Sequence, residues 1–132
     1  MIFEKILLTT DGSPACELAA IRGIEIAKIY NSKVFIMNVV SNMEKYQKFA
    51  EENVKRVKEM AEKMGVKAET IIKEGKVADT IVDTAKDLGI SLIVVPTHTK
   101  GLKQAILGGV TERIIRKAPE DIAVMIWQMK ES

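Results

Sequence analysis

The chain has 132 residues, the size of one ordinary domain with a buried core. Its composition, 47% hydrophobic and 29% charged, is that of a soluble globular protein. The 20 basic residues stand against 18 acidic ones for a net charge of +2, a balance that argues against a nucleic-acid binder, whose basic residues cluster in excess on one face.

The N-terminal Met1-Ile2-Phe3-Glu4-Lys5 runs directly into a strand-like segment with no signal-peptide pattern. No apolar stretch approaches the roughly 18 residues needed to cross a membrane, so a cytoplasmic protein with no membrane partner is expected. Lys5 to Thr10 is a short apolar run ending at Asp11-Gly12-Ser13-Pro14, the pattern of a strand buried on both faces. Ser13 is a natural N-cap and Pro14 a natural first helical residue, so a helix is predicted from there to Tyr30, with Asn31 closing it. Its apolar residues Leu18, Ile21, Ile24, Ile26 and Ile29 surround the axis, which predicts a well-buried helix. Cys16, in its first turn, is the only cysteine. It excludes an intrachain disulfide and reads as a small buried thiol rather than a reactive one.

Val34 to Val40 reads as a second buried strand. A charged helix follows over about 43–65, with Met43, Ala50, Val57 and Met64 at heptad spacing and Tyr46, Val54, Met60 and Ala61 on the same stripe. Asn53 interrupts that stripe, and the pattern suits one helix lying on a sheet better than a coiled coil. Lys67 to Glu74 alternates as an edge strand, and a helix is predicted over Val77 to Leu88, capped by Gly89. Ile90 to Val95 is the clearest buried strand, Pro96 to Gly101 a loop, and Gly109 to Lys117 a short helix ending before Pro119. Ile122 to Trp127 is the last strand. Strands alternating with helices imply a parallel sheet covered on both faces, as one α/β domain over residues 1–132.

In such a sheet, ligands sit at the carboxyl ends of strands where the winding direction reverses. Two segments are placed for that: Thr9-Thr10-Asp11-Gly12-Ser13 and Pro96 to Thr111. Gly108-Gly109 precedes a predicted helix, whose N-terminus offers unpaired N–H groups and positive partial charge to an anion; Lys100 and Lys103 add charge nearby. The same dipeptide is also ordinary turn chemistry. Neither the P-loop nor the dinucleotide fingerprint occurs. Asp11 has two readings, acceptor for an amine such as that of adenine or holder of its own turn. His98, the only histidine, reads as a surface or packing residue, and Ser13 as a cap rather than a nucleophile. No His, Cys and carboxylate cluster has ligand spacing, so no metal site is expected.

Ile6 to Ser13, Asn38-Val39-Val40, Lys73 to Ile81, Leu92 to His98 and Leu107 to Arg113 together resemble universal stress proteins in order, spacing and extent. The resemblance implies an open five-stranded parallel sheet of order 3-2-1-4-5 with helices on both faces, Rossmann-like and of the adenine nucleotide alpha hydrolase-like kind. It implies a homodimer joined along the last strand through Ile122, Val124 and Ile126. It also implies an adenine nucleotide, ATP or AMP, with magnesium or manganese accompanying ATP alone. The nucleotide would contact Thr9, Thr10, Asp11 and Val39 on one side. On the other it would contact Val95, Pro96, Thr97, Thr99, Gly108, Gly109 and Val110. Family members that bind ATP carry G-x2-G-x9-G-[ST] in that loop. This chain places Pro96 and Thr99 at the first two glycines, is one residue shorter before Gly101, and has Gly109 in place of Ser or Thr. Pro96 removes a backbone donor and Thr99 adds a Cβ where close approach is needed.

Two functional readings stay open: a nucleotide-responsive regulator, and a nucleotide-independent homodimeric interaction module of the same fold. A slow ATPase ranks last, because no base, nucleophile or metal site for hydrolysis stands out in the sequence.

Overall fold

In the computed structural model, residues 2–98 and 107–128 are described. They form β1 (Lys5–Thr9), α1 (Pro14–Tyr30), β2 (Lys33–Val40), α2 (Met43–Lys63) and β3 (Ala68–Glu74). These are followed by α3 (Val77–Leu88), β4 (Leu92–Pro96), α4 (Gly109–Lys117) and β5 (Ala123–Trp127). All pairings are parallel and the strand order is β3-β2-β1-β4-β5, so the winding reverses between β1 and β4.

Alternation along each central strand sends side chains to opposite faces and builds two cores. Ile6, Leu8, Val34, Ile36, Leu92 and Val94 meet α1 and α2 through Ile24, Val54, Val57 and Ala61. Leu7, Phe35, Met37, Ile93 and Val95 meet α3 and α4 through Ile81, Val82, Ala85 and Ile114. Each large aliphatic side chain so buried contributes roughly 2 kcal/mol.

The local signals place the helix ends. Ser13 Oγ accepts from the Cys16 N–H at 3.2 Å ahead of Pro14, and Asn31 closes α1 at φ +54°. Asn42 caps α2, its side chain accepting from the Lys45 N–H at 3.0 Å.

Four expectations change. First, α1 is not buried all round: Leu18 is 44% and Ile29 78% exposed, and the inner face is Cys16, Ala19, Ala20, Gly23, Ile24 and Ala27. The reason is close approach. A Cβ on Gly23 would stand 2.3 Å from Leu8 Cδ2, so small residues face the sheet and the large ones lie outside. Second, Tyr46 lies on the exposed side of α2, while Asn53 lies within the buried one. Third, α2 ends at Lys63, with Met64 as its cap and Gly65 at φ +77° just beyond. Fourth, Pro96 belongs to β4 rather than to the loop, paired in register with Trp127. Its missing N–H is tolerated at the strand's last residue, and the Thr97 N–H resumes the ladder by donating to Trp127 O at 2.9 Å.

Candidate functional site: the crevice between β1 and β4

A crevice of about 200 Å³ opens at the carboxyl ends of β1 and β4, where the topology reverses. One wall is the end of β1 with Thr9, Thr10 and Asp11, backed by Met37 and Val39 of β2 and Cys16 of α1. The other is Val95, Pro96 and His98 with Gly108, Gly109, Val110 and Thr111, and Val77 and Ile81 of α3 close the floor.

Most of the residues that the resemblance implied for the nucleotide lie in this crevice. Thr9, Thr10, Asp11, Val39, Val95, Pro96, Gly108, Gly109 and Val110 all line the crevice. Thr97 does not. It is buried behind the wall, its N–H on Trp127 O and its own carbonyl accepting from the Gly108 N–H at 2.8 Å. Thr99 lies outside the described residues, as do Lys100, Gly101 and Lys103.

The structure adds Cys16, Met37, Val77, Ile81, His98 and Thr111. Met37 was legible, since it stands two residues from Val39 on the same strand face. Val77 and Ile81 share one face of α3 at a four-residue spacing. Thr111 and His98 fall within the Pro96 to Thr111 segment already marked for the crevice, whereas nothing in the sequence marks Cys16.

The β1 wall is tightly fixed. Thr10 donates its N–H to Met37 O at 2.9 Å, Thr10 Oγ1 accepts from the Gly12 N–H at 3.1 Å, and Asp11 Oδ1 accepts from the Ser13 N–H at 2.8 Å. Asp11 therefore holds its own turn while standing exposed at the crevice mouth. Gly12 needs φ +86°, and a Cβ there would lie 2.7 Å from Asn53 Oδ1. Burial, and secondarily the negative charge of Asp11, push the Cys16 thiol up to about 12, so it stays neutral and unreactive.

The β4 wall ends in a helix N-terminus. The first helical bond of α4 runs from the Glu112 N–H to Gly108 O, which leaves the N–H groups of Gly109, Val110 and Thr111 without an intrahelical partner. Thr111 Oγ1 donates to Pro96 O at 2.8 Å and ties the helix to the strand end. Gly108 packs against His98 and Thr97 at 3.4 Å from where a Cβ would be, while Gly109 has nothing within 4 Å. His98 is 7% exposed, and its Nε2 has no hydrogen-bond partner among the described residues. The expected surface or packing histidine is thus a buried part of the crevice wall. Behind it, Arg113 and Lys117 of α4 both pair with Asp79 of α3 at 2.9 and 2.8 Å, which holds the Asp79 carboxyl down at about 2.

Among the described residues, no group of three or more His, Cys, Asp or Glu side chains gathers as a metal site. No helix among them is long and apolar enough to cross a membrane. At the outer edge, Val124 and Ile126 of β5 are half-buried against the α3–α4 core. Ile122, expected at the same edge, precedes the strand and is only 8% exposed because it packs into the chain's own core.

Comparison with known proteins agrees with this architecture. The profile of the Universal stress protein family matches residues 2–125. A universal stress protein of Methanocaldococcus jannaschii is 34% identical over 146 aligned residues, covering 98% of this chain and 86% of the relative. Two solved structures share the fold. A universal stress protein in complex with cAMP has a TM-score of 0.79 and 21% identity, covering 97% of this chain and 98% of the other. A universal stress protein from Archaeoglobus fulgidus in complex with dAMP has a TM-score of 0.80 and 20% identity, covering 96% and 98%. With the family profile matching residues 2–125 and a relative 34% identical that is covered over 86% of its length, the chain belongs to the universal stress protein family.

Proposed function

We propose that the crevice binds an adenine nucleotide and that the protein is a nucleotide-responsive regulator. The observation that carries this reading is the pairing of opposite chemistries across one crevice. Asp11 offers a carboxylate acceptor at the mouth of one wall, and α4 offers first-turn N–H groups with no intrahelical partner at the end of the other. A carboxylate suits the exocyclic amine of adenine, and a helix N-terminus suits a phosphate. The apolar side chains Met37, Val39, Val77, Ile81 and Val95 suit a base between them. The cAMP and dAMP complexes of the two structural neighbours support the same ligand class.

A single phosphate fits this chain better than three. Pro96 brings no N–H, and Gly109 no hydroxyl, so among the described residues of this wall the donors are concentrated on the first turn of α4. AMP is the preferred ligand over ATP, and magnesium or manganese would enter only with ATP. Calorimetric titration of nucleotide-stripped protein with AMP and ATP tests this. A micromolar Kd for AMP is expected, and absence of binding to millimolar AMP and ATP overturns it. That second outcome would leave the nucleotide-independent interaction module as the working function.

Both functions use a homodimer. β5 carries Ala123-Val124-Met125-Ile126-Trp127 with no charge and ends the sheet, and such an edge is a liability unless another chain covers it. Val124→Lys together with Ile126→Lys should give monomers in sedimentation; a mutant that stays dimeric sinks the edge-strand interface.

A further inference from the structure

Asn53 is the one polar side chain in the buried face of α2, where Ala50, Val54, Val57 and Ala61 are its companions. It is 1% exposed. A solitary amide in an apolar helix face lowers stability unless its hydrogen bonds are made, so its contacts define its role. Its Nδ2 donates to Asn38 Oδ1 at 2.9 Å, and its Oδ1 accepts from Arg56 Nη2 at 3.2 Å. Asn38 in turn donates from Nδ2 to the Val39 carbonyl at 3.3 Å. Arg56 continues outward through Nε to Glu17 Oε2 at 2.7 Å. The amide also lies flat against Gly12, so closely that its Oδ1, Cγ and Nδ2 would all stand within 3.0 Å of an added Cβ. One side chain therefore joins α2 to the Asp11–Ser13 turn, to the end of β2 beside Val39, and, through Arg56, to α1.

We infer that Asn53 is a positioning residue for the crevice, holding the Asp11–Ser13 turn where it meets the ligand. The inference rests on the nucleotide reading of the crevice. Asn53 does not line the crevice and touches no ligand position itself. Held in place by Asn38 and Arg56, its amide packs on the backbone of Gly12 from behind, while the turn N–H groups accepted by Thr10 and Asp11 at 3.1 and 2.8 Å hold the turn from in front. An apolar residue of equal size would fill the same volume without tethering Asn38 or Arg56, and that separates packing from positioning.

Asn53→Leu is the test, read by AMP titration and by amide exchange at Gly12 and Ser13. AMP affinity should fall about tenfold, a loss on the scale of one buried hydrogen-bond pair. In an Asp11→Ala background the same change should cost nothing further, because the two residues act through one turn. Exchange at Gly12 and Ser13 should quicken about tenfold, with the α3 amides unaffected. Unchanged affinity, or losses that simply add in the double variant, overturns the inference. If the wild-type chain binds neither AMP nor ATP, the nucleotide reading fails, and exchange still decides the positioning: faster exchange at Gly12 and Ser13 upholds it and unchanged exchange overturns it. Should Asn53→Leu not fold, Arg56→Gln removes the outer tether at a half-exposed site. It should weaken AMP binding about threefold and quicken the same amides, and no change in either sinks the idea.

Discussion

The β1 wall and the β4 wall of the crevice use the same parts, a buried strand end, a glycine and a helix N-terminus, but the parts are restrained differently. On the β1 wall, Gly12 is held at φ +86° against Asn53, Ser13 caps α1 with its hydroxyl, and Thr10 and Asp11 each accept a turn N–H. On the β4 wall, the N-cap of α4 is Gly108 with no side-chain bond, a Cβ on Gly109 would meet none of the described residues within 4 Å, and Pro96 has no N–H to offer. The stiff wall is where a base would be recognised by shape and by one carboxylate. In the proposed binding mode, the open wall is where an anion would meet backbone dipoles, which tolerate changes in neighbouring side chains. The difference teaches that this chain departs from the family's loop pattern on the wall that structurally has room to depart.

Alanine at the two glycines breaks the comparison most sharply. Gly12→Ala meets both a left-handed backbone and a Cβ 2.7 Å from Asn53 Oδ1, so a loss on the order of 3 kcal/mol is expected. Gly109→Ala meets no atom within 4 Å and should be neutral, or stabilising by up to about 1 kcal/mol. Urea unfolding of the two variants reads both. Equal midpoints would show that the walls are restrained alike.

Asp11→Ala asks whether the stiff wall recognises anything. A hydrogen bond to a charged acceptor contributes about 1.5–3 kcal/mol, so AMP affinity should fall by roughly 10- to 100-fold. Stability should fall less, because Gly12 and the Ser13 cap still define the turn. A variant that binds AMP as well as wild type removes Asp11 from the site.

How far the sequence carried the fold follows from which residues carry strong local signals. The runs Ile6–Leu8 and Leu92–Val95 suit buried strands and Ser13-Pro14 suits a helix start, so the two loops that line the crevice were legible, and their meeting followed once β1 and β4 were neighbours. The strand order was not legible from periodicity; it came from the resemblance and the observed sheet bears it out. Asn53 escaped because a single polar residue in a charged helix looks like an interruption of the apolar stripe. Its meaning depends on Gly12 and Asn38, which lie far away in the chain and near in space. The burial of α1 was misjudged for a related reason: the close approach that Gly23 permits puts the smallest residues inside, the reverse of what summed hydrophobicity suggests. His98 lies in the loop after β4, which faces the crevice once β4 neighbours β1; of its two readings, surface or packing, the structure bears out packing, with His98 7% exposed in the crevice wall.

Gly109→Ser sharpens the comparison by giving the open wall what the family pattern has there. The position has space for the side chain, and its φ is outside the left-handed region. A hydroxyl bond to a charged phosphate contributes about 1.5–3 kcal/mol, so phosphate-bearing ligands should bind roughly 10- to 100-fold tighter. Adenosine, which has no phosphate, should not respond. Equal gains for AMP and adenosine would mean that the hydroxyl acts elsewhere than on the phosphate.

The smallest expected effect concerns what holds the open wall from outside. Asp79 of α3 accepts from Arg113 and Lys117 of α4, and these contacts, the hydrogen bonds first, lower its carboxyl from 3.8 to about 2. A carboxyl whose folded value lies below its ordinary one stabilises the fold at every pH above the ordinary value. That contribution fades as the pH falls from about 4 towards about 2, through the folded value. Asp79→Asn removes it, so the variant should lose less stability than wild type across that window and be slightly less stable at pH 7. Because the Arg113 and Lys117 partners are solvent-exposed, the gap at pH 7 should narrow in 1 M salt, where screening reaches within about 3 Å. Matching acid-unfolding slopes for the two proteins would show that α4 is positioned by Thr111 and the Ile114 core alone, and that the ion pairs at its outer face do not restrain the wall.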